Sequence, residues 1–447
     1  MYDIKNNIEK DIFDISNKIL NAGFSLFLVG GSIRDIILGK KIEDYDFATN
    51  AKPDQLKKIF PKAILFGEKF GTIMLIIGKS RVEITTLRKE SNYTDHRHPQ
   101  KVEFISDIKE DLKRRDFTIN SIAYDMKGDN IIDVFGGIND LNSKIIRSVG
   151  NPDDRFREDA LRLMRGVRFA FKLGFEIEDL TYKSIVKNSK LINEISPERI
   201  RDEFMKIVNE DKSSYGIELL RKTEILSNII PELVTCLGVE QNKYHSLDVY
   251  HHLLLSLDSA DKKVKLAALF HDIGKPQTKD GEHFFGHEKV GAEITYEILN
   301  RLKFPNEQIE ITCKLINLHL FHYEPSWSDS AVRRFLRKVG DKDTLELLFL
   351  LRIADEKGNP ISNYDFDNLS QLKSRIDSIE EKDRYLKLKD LSINGNDLLK
   401  IGYKKDKKLG EALELLLDKV IDNPNLNNRK DLISIAKKNL FDTGKKL

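Results

Sequence analysis

The stretch that decides the fold runs from residue 27 to residue 47 and reads FLVGGSIRDIILGKKIEDYDF. Its apolar start meets Gly30 and Gly31, which predicts a strand that turns tightly into a helix carrying Arg34. At such a turn, backbone amides can approach a phosphate closely at the positive end of the helix. A double glycine alone predicts no more than a tight connection, so the function of the turn depends on the residues that come after it.

Two aspartates lie on the next predicted strand. Asp44 and Asp46 are two residues apart, so on a strand their side chains point to the same side. Like charges this close repel unless a cation lies between them, and Mg²⁺ prefers carboxylate oxygens. The glycine turn, Arg34 and the acidic pair therefore predict a phosphate cradle and a metal site within 17 residues. Glu83, in the predicted strand RVEITTL, is a candidate third metal ligand, although a strand glutamate can equally face solvent.

Length and composition set the scale of the molecule around this stretch. The chain has 447 residues, 40% apolar and 33% charged, which indicates about three domains and excludes disordered, collagen-like and mucin-like proteins. No apolar run approaches the roughly 18 residues of a membrane span, and the amino-terminal residues lack a signal-peptide pattern. We therefore expect a soluble, cytoplasmic protein. Two cysteines, Cys236 and Cys313, cannot make a disulfide framework.

The sequence pattern changes near residue 150. Before it, short runs rich in β-branched and aromatic residues, such as TIMLII, alternate with helical stretches. After it, apolar residues recur three and four positions apart, as in RIRDEFMKIV, which predicts helices almost throughout. We expect an α+β protein whose mixed-sheet head is followed by helical regions. The expected regions are a head at 1–140, a neck at 141–215, a body at 216–365 and a tail at 366–447.

Charged residues at intervals of three mark the predicted helix after residue 151. Neighbours in the series Asp159, Arg162, Arg165 and Arg168 lie about one helical turn apart. Asp159 and Arg162 can thus present their tips together, either as a surface ion pair or as a hydrogen-bonding edge for a base. The carboxylate would accept from an exocyclic amino group while the guanidinium donates to the adjacent ring nitrogen. Cytosine and adenine present an amino donor beside a ring-nitrogen acceptor, whereas guanine and uracil present the reverse polarity. The edge would therefore select CTP and ATP.

Together, these motifs resemble the class II nucleotidyltransferases, the family of bacterial CCA-adding enzymes and poly(A) polymerases. The matching segments are GGSIRD at 30–35, EDYDFAT at 43–49, DLKRRDFTINSIAYD at 111–125 and an EDxxR motif at 158–162. The resemblance implies a polymerase β-like head in which two Mg²⁺ ions, held by Asp44 and Asp46, activate an RNA 3′-hydroxyl. The hydroxyl would attack the α-phosphate of a nucleoside triphosphate and expel pyrophosphate.

The resemblance also assigns roles to arginines. It places the RRD motif, Arg114, Arg115 and Asp116, around the ribose and phosphates of the incoming nucleotide, with Arg115 as the leading candidate for contact. Arg165 and Arg168 match further nucleotide-contacting residues, with phosphates as their expected targets. ISPERIRDEF at 195–204 resembles a later family motif, in which we expect Glu198 and Arg199 to brace the neck rather than contact substrate.

The product is where members of this family differ, because poly(A) polymerases share the motifs named so far. The segment from Arg88 to Lys101 resembles the flexible loop that CCA-adding members use in switching from C to A addition. The segment 393–432 resembles a tail that grips the elbow of tRNA, and residues 381–447 carry 16 Lys and Arg against 11 Asp and Glu. We therefore expect C, C and A to be added to tRNA from CTP and ATP, while an A-adding specialist or a poly(A) polymerase stays open.

Histidines are concentrated in the predicted body, since eight of the ten lie between His245 and His322. Five residues there have the spacing of the HD superfamily, which the string ALFHDIGKP also resembles: His252, His271, Asp272, His287 and Asp355. Such ligands suit Mg²⁺, Mn²⁺, Fe²⁺ or Ni²⁺, and a bound water could then hydrolyse a phosphoester. His319 could complete a second metal site. An inert scaffold is the alternative, as is a working HD hydrolase whose head merely binds nucleotides.

Overall fold

The structure, a computed structural model, describes residues 2–42, 44–66, 71–78, 80–93, 99–242, 246–362, 366–382 and 387–444. The chain divides into two compact units. One comprises Met1–Thr235 with Ile298–Phe304, and the other Cys236–Glu297 with Pro305–Leu447. The expected α+β class is confirmed, and the four regions predicted from the sequence stay a prediction. Within the described residues, every helix is too short or too polar to cross a membrane.

The first unit contains a seven-stranded mixed sheet with the strand order β3-β4-β5-β2-β1-β8-β9. Its strands are β1 (Leu26–Val29), β2 (Asp44–Thr49), β3 (Ile64–Phe66), β4 (Thr72–Ile77), β5 (Ser80–Thr86), β8 (Ile122–Asp125) and β9 (Asn130–Asp133). Only β2 and β5 run parallel, and the other neighbours are antiparallel. Two small sheets pair β6 (Arg88–Tyr93) with β7 (Pro99–Phe104) and β10 (Ile145–Ile146) with β11 (Glu176–Ile177).

The register of β2 places its acidic residues on one face. Tyr45 and Phe47 are buried on the opposite face, as the alternation of side chains along a strand requires. In the parallel pairing with β5, Asp46 lies beside Glu83. The sheet therefore brings three carboxylates, those of Asp44, Asp46 and Glu83, to the same side.

Helices flank and follow this sheet. They are α1 (Lys10–Asn21), α2 (Gly30–Ile37), α3 (Pro53–Ile59), α4 (Ile108–Lys113), α5 (Gly137–Ser143), α6 (Pro152–Glu158), α7 (Leu161–Leu173), α8 (Asp179–Asn188), α9 (Pro197–Val208), α10 (Ser213–Lys222), α11 (Ile225–Ile229) and α12 (Pro231–Val234). α7 packs against α9 and α10. A Cβ on Gly166 would lie 3.0 Å from the Phe117 ring, so glycine allows α7 to approach the core closely.

The helix predicted after residue 151 is interrupted. α6 ends at Glu158 and α7 begins at Leu161, while Asp159 has extended backbone angles of φ −144° and ψ 102°. Its Oδ1 accepts a hydrogen bond of 3.1 Å from the amide of Leu161, which satisfies one of the amides at the start of α7. Asp159 therefore lies at a break between two helices and not on a helix face.

The predicted loop from Arg88 to Lys101 lies partly outside the described residues, which here end at 93 and resume at 99. The described flanks are β6 and β7, which pair antiparallel with Arg88 opposite Phe104. Strands therefore occupy both ends of the segment for which a loop was expected.

The second unit is helical. Its helices are α13 (Val249–Ser259), α14 (Lys265–Phe270), α15 (Lys275–Thr278), α16 (His287–Arg301), α17 (Asn306–Leu318), α18 (Asp329–Val339), α19 (Lys342–Lys357), α20 (Asp367–Lys382), α21 (Gly395–Lys400), α22 (Lys407–Asp422) and α23 (Arg429–Gly444). α13 packs against α14 and α19, and α17 packs against both of these. Around α21, α22 and α23, a separate apolar cluster includes Leu398, Leu416, Val420 and Leu432.

Candidate active site

A cavity of about 600 Å³ in the first unit joins the acidic face of the sheet to α7. Nine residues that the sequence nominated line it: Gly30, Gly31, Arg34, Asp46, Glu83, Arg115, Asp159, Arg162 and Arg165. Among the described residues that form its wall, Asp44 and Arg168 are absent. One space therefore connects a carboxylate of β2 with the arginines of the helical region.

The glycine turn forms one edge of this cavity. Gly30 has φ +67°, a left-handed conformation that a side chain rarely adopts. A Cβ there would lie 3.3 Å from Nη1 of Arg115 and 3.4 Å from Oδ2 of Asp46. Glycine thus lets the backbone approach a guanidinium and a carboxylate at once.

The carboxylates of the sheet are unequal. Burial raises the pKa of Asp46 to about 6, with the nearby charges of Glu83 and Asp44 adding to the effect and that of Arg115 opposing it. Asp44 is exposed and its Oδ1 lies 3.3 Å from the amide of Arg81, while the Glu83 carboxylate forms an ion pair with the Arg81 guanidinium. The fold disfavours a negative charge on Asp46, and a cation beside these oxygens would relieve that cost. Carboxylates of this kind fit a hard divalent metal such as Mg²⁺.

Ser32 holds the carboxylate strand against α2. Its hydroxyl accepts from the amide of Asp46 at 2.8 Å and donates to the carbonyl of Asp44 at 3.1 Å. Arg34, one turn into the same helix region, donates to Oδ1 of Asn120 at 2.8 Å. These bonds hold β2 and Arg34 in place before any ligand binds.

Two aspartates orient arginines in and around the RRD segment. Asp111 is buried and accepts from Arg114 at 2.6 Å and from Arg115 at 3.3 Å. Asp116 accepts from Arg165 at 2.8 Å; burial alone would raise the Asp116 pKa, but the guanidinium groups of Arg165 and Arg162 lower it to about 2. Nε of Arg115 is buried and lacks a hydrogen-bond partner among the described residues. Arg115 is therefore oriented while keeping a donor for a ligand.

The predicted partners Asp159 and Arg162 do not contact each other through an ion pair. Oδ2 of Asp159 accepts from Nη2 of Arg199 at 2.9 Å. Arg162 pairs instead with Glu158 at 2.9 Å, and its Nη2 donates to the carbonyl oxygen of Arg114 at 2.8 Å. Both residues still line the cavity, but each is oriented by another residue.

Phe169 lies among three guanidinium groups. Its ring centroid is 4.3 Å from the Cζ of Arg168, 5.3 Å from that of Arg165 and 5.5 Å from that of Arg34. Such contacts favour cations over the ring face. Arg168 also donates from Nε to the buried Glu203 at 2.6 Å. Arg168 therefore contacts α9 in this structure, and its predicted contact with phosphate stays a prediction.

A second cluster lies in the helical unit. Asp272 is at its centre, with Oδ2 3.5 Å from Nε2 of both His252 and His271 and Oδ1 3.1 Å from Nε2 of His287 and 3.6 Å from that of His319. Two sets of ligand atoms each fall within 4.8 Å of one another. They are His252, His271 and Asp355, and Asp272, His287 and His319.

The four imidazoles share one orientation. Each directs Nδ1 at a backbone carbonyl oxygen, that of Gly358 at 3.3 Å, Ala268 at 2.9 Å, Phe284 at 2.6 Å or Ile316 at 2.6 Å. A ring nitrogen beside a carbonyl carries the proton, so Nε2 is left with its lone pair toward the cluster. Metal-ligating histidines have this arrangement, and the donor set fits a divalent first-row metal or Mg²⁺.

A cavity of about 910 Å³ leads to this cluster. Asp272, His287, His319 and Asp355 reach it, and so do cationic side chains at Lys275 and Arg352. Nζ of Lys275 lies 2.5 Å from Oδ2 of Asp272. Metal ligands and positive charge thus face the same space, which suits an anionic substrate.

Comparison with known proteins gives family matches for the regions of the chain that contain the two sites. Residues 26–147 match the poly A polymerase head domain, residues 174–237 the probable RNA and SrmB-binding site of polymerase A, and residues 243–358 the HD domain. The CCA-adding enzyme of Ligilactobacillus salivarius is 35% identical over 441 residues, which cover 96% of each chain. This chain belongs to the CCA-adding enzyme family.

Other members of the CCA-adding enzyme family give the same result. The enzyme of Lactococcus lactis subsp. lactis is 32% identical over 95% of this chain and 96% of its own. The crystal structure of the Bacillus stearothermophilus CCA-adding enzyme in complex with CTP has a TM-score of 0.71 at 26% identity, and the similarity covers 98% of this chain and 100% of that one. The resemblance stated from the motifs is therefore confirmed.

Some residues that form or orient the site are not marked as such by the sequence. Arg199, which was expected to brace the neck, pairs with Asp159 of that region and also lines the cavity, which the sequence did not indicate. Asp111 and Asn120 orient arginines at the cavity, and both belong to the segment DLKRRDFTIN that carries the family resemblance. Glu203 orients Arg168, and its only sequence signal is its place in the later motif of the CCA-adding enzyme family.

The close approach at Gly30 gives a testable prediction. We expect Gly30→Ala to lower kcat/KM for CTP incorporation by about 100-fold, because the methyl group displaces Arg115 and Asp46 by a fraction of an ångström. Gly39→Ala is the matched control, since Gly39 has φ +68° but nothing within 4 Å of an added Cβ. Both variants should lose about 1 kcal/mol of stability from the strained backbone. Equal activity of the two variants would contradict the role of Gly30 in positioning Arg115 and Asp46.

Proposed function

We propose that this chain adds C, C and A in turn to the 3′ end of tRNA, with CTP and ATP as substrates. The observation that carries the proposal is the single cavity that joins Asp46 and the glycine turn to Asp159, Arg162 and the other arginines. Family members that bear the name CCA-adding enzyme match nearly the whole chain, which supports this product over poly(A). The predicted tail, with its basic excess, is the region we propose for contact with tRNA.

The head residues would act by holding charge in place. Asp44, Asp46 and Glu83 are the candidate ligands for Mg²⁺, which when bound supplies Lewis acidity toward phosphate oxygens. Arg115 is already oriented by Asp111, so it offers positive charge to the triphosphate without first having to be ordered. Arg34 is held by Asn120 in the same way.

Base selection is assigned to Asp159 and Arg162. The carboxylate would accept from the exocyclic amino group of cytosine or adenine, and the guanidinium would donate to the neighbouring ring nitrogen. Nη1 of Arg162 donates to Glu158 and to the Arg155 carbonyl, and Nη2 donates to the Arg114 carbonyl, so the guanidinium is already oriented. The second N–H of Nη2 is the donor that we propose for the base. Guanine or uracil would leave buried polar groups unpaired, which is how a protein edge rejects them.

Extension of defined RNAs tests this proposal. With tRNA lacking CCA, CTP alone should add two residues, and CTP with ATP should add three. With tRNA ending in CC, ATP alone should add one residue, and a generic RNA should not be extended. An A-adding specialist would extend only the tRNA ending in CC, and a poly(A) polymerase would make long products on generic RNA. Absence of CTP incorporation would contradict the proposal.

We also propose that the HD unit hydrolyses phosphoesters with a divalent metal. The specific observation is that all four imidazoles direct Nε2 at one aspartate, while a backbone carbonyl occupies each Nδ1. A domain kept only as a scaffold has no need of this orientation. Release of phosphate from a phosphomonoester, or opening of a 2′,3′-cyclic phosphate, is measured with Mg²⁺, Mn²⁺, Fe²⁺ and Ni²⁺ in turn. Lack of turnover with all four metals would contradict the proposal.

A further inference from the structure

The two terminal nitrogens of Arg199 differ: Nη2 makes a hydrogen bond, whereas Nη1 makes none with the described residues. It lies in the first turn of α9, and its side chain is one-quarter exposed. Nη2 donates to Oδ2 of Asp159 at 2.9 Å. Nη1 is buried, and the part of the chain that the structure describes offers it no hydrogen-bond partner. A buried N–H without a partner is costly, so a ligand in the cavity is the natural acceptor for it.

Asp159 needs a residue that orients it. Because Asp159 is extended between α6 and α7, its side chain does not take its direction from a helix face. Two donors do so, namely the amide of Leu161 at Oδ1 and the guanidinium of Arg199 at Oδ2. Only Arg199 is a side chain, and it comes from a different helix.

Arg162 does not perform this task in the structure. Its Nη1 donates to Glu158 at 2.9 Å and to the carbonyl of Arg155 at 3.1 Å, and its Nη2 donates to the carbonyl of Arg114 at 2.8 Å. The acidic half of the base-reading edge is therefore oriented by Arg199, with which it shares a cavity wall.

We propose that Arg199 determines nucleotide specificity, with Nη2 fixing the Asp159 carboxylate and Nη1 donating to an acceptor of the incoming nucleotide. This inference rests on the proposed nucleotide addition. Uracil presents a carbonyl oxygen where cytosine presents an amino group, so a fixed carboxylate repels it. A carboxylate released from Arg199 can turn away, which weakens binding of CTP and relieves the repulsion of UTP.

Selectivity of the Arg199→Ala variant tests the inference. On tRNA lacking CCA, we expect kcat/KM to fall by about 100-fold for CTP and by less than about threefold for UTP. Arg201→Ala is the control, because Arg201 lies on the same helix but pairs with Asp202 outside the cavity wall. It should leave both values unchanged. An equal fall for CTP and UTP would indicate a merely structural role and overturn the proposal.

Two further variants keep the test decisive if the alanine variant unfolds. Arg199→Lys keeps a cation for Asp159 but loses the paired donors of the guanidinium, so we expect an intermediate CTP-to-UTP ratio. In a double-mutant cycle with Asp159→Asn, the two losses of selectivity should not add, since one residue acts through the other. Additive losses, or a parental ratio in Arg199→Lys and Arg199→Ala alike, would overturn the proposal. If the parent protein incorporates CTP and the Arg199 variants keep its CTP-to-UTP ratio, this inference alone is rejected. If the parent protein does not incorporate CTP, the proposed function is rejected as well.

Discussion

Asp46→Asn is expected to abolish nucleotide addition, with a loss of at least about 1,000-fold in kcat, because it removes a charge that stabilises the transition state through the metal. The replacement keeps the shape of the side chain, so it opens no cavity at the base of the site. It also leaves the Ser32 hydroxyl free to bond the backbone amide of residue 46. CTP incorporation into tRNA lacking CCA, measured over a range of Mg²⁺ concentrations, checks the result.

The stability of this variant separates loss of chemistry from loss of fold. Burial and neighbouring carboxylates raise the pKa of Asp46 to about 6, so folding disfavours the charged form. For a carboxyl group whose pKa is raised by folding, the free energy of unfolding falls as the pH rises through the folded-state pKa. At pH 7.5 Asp46 is charged, and this charge destabilises the fold. Asp46→Asn should therefore unfold at the same temperature as the parent or a higher one, and should still bind tRNA.

Two comparisons complete the experiment. Asp44→Asn should show a loss of similar size if both aspartates hold metal, although Asp44 is exposed and outside the cavity wall of the described residues. Asp14→Asn, an exposed change on α1, should be fully active. Normal turnover in Asp46→Asn would refute the metal assignment in the head.

Asp272→Asn is expected to remove metal binding and phosphoester hydrolysis from the HD unit, again by at least about 1,000-fold, while nucleotide addition persists. One amide cannot replace a carboxylate that faces four imidazoles, because its nitrogen is a donor. Metal content of the purified variant and phosphate release are the two measurements. Unchanged metal content would contradict the predicted ligand set.

The fold of this variant needs its own control. Burial alone would raise the pKa of Asp272, but the Lys275 ammonium beside it holds that pKa well below its usual range, so the charged form stabilises the fold at neutral pH. Loss of that charge removes the ionic partner of the buried Lys275, which keeps only the neutral Gln241 amide oxygen as an acceptor among the described residues, and this costs about 3–5 kcal/mol. Asp272→Asn combined with Lys275→Met should regain stability and remain inactive as a hydrolase. His251→Gln changes an exposed neighbour of His252 that pairs with Asp248, and it should retain metal.

Much of the site could be predicted because its parts are local in sequence. The two-residue spacing of Asp44 and Asp46 places them on one face of any strand, and the double glycine indicates a tight backbone turn. The HD cluster was identified by its resemblance to the HD superfamily, and the structure brings ligand atoms of His252, His271 and Asp355 within 4.8 Å of one another. His319, named from the sequence as completing a second site, lies with Asp272 and His287.

Partners across long distances could not be predicted. The expected pair of Asp159 and Arg162 assumed one continuous helix, whereas the break after Glu158 turns Asp159 toward α9. Arg168 likewise pairs with Glu203, a residue 35 positions further along the chain. A carboxylate pairs with whichever cation packing brings within about 4 Å, and spacing along one helix says nothing about its neighbours.

The amino-acid sequence by itself determined the α+β class, the acidic face of β2 and the glycine turn, because strand alternation and glycine geometry act over a few residues. The ligands of the HD cluster followed from its resemblance to the HD superfamily. Only the tertiary structure decided which cation orients Asp159, that Arg199 faces the cavity, and that Asp272 lies between four imidazoles. These contacts join residues that are distant along the chain. Their partners are set by how helices pack, and packing depends on the whole set of buried side chains at once.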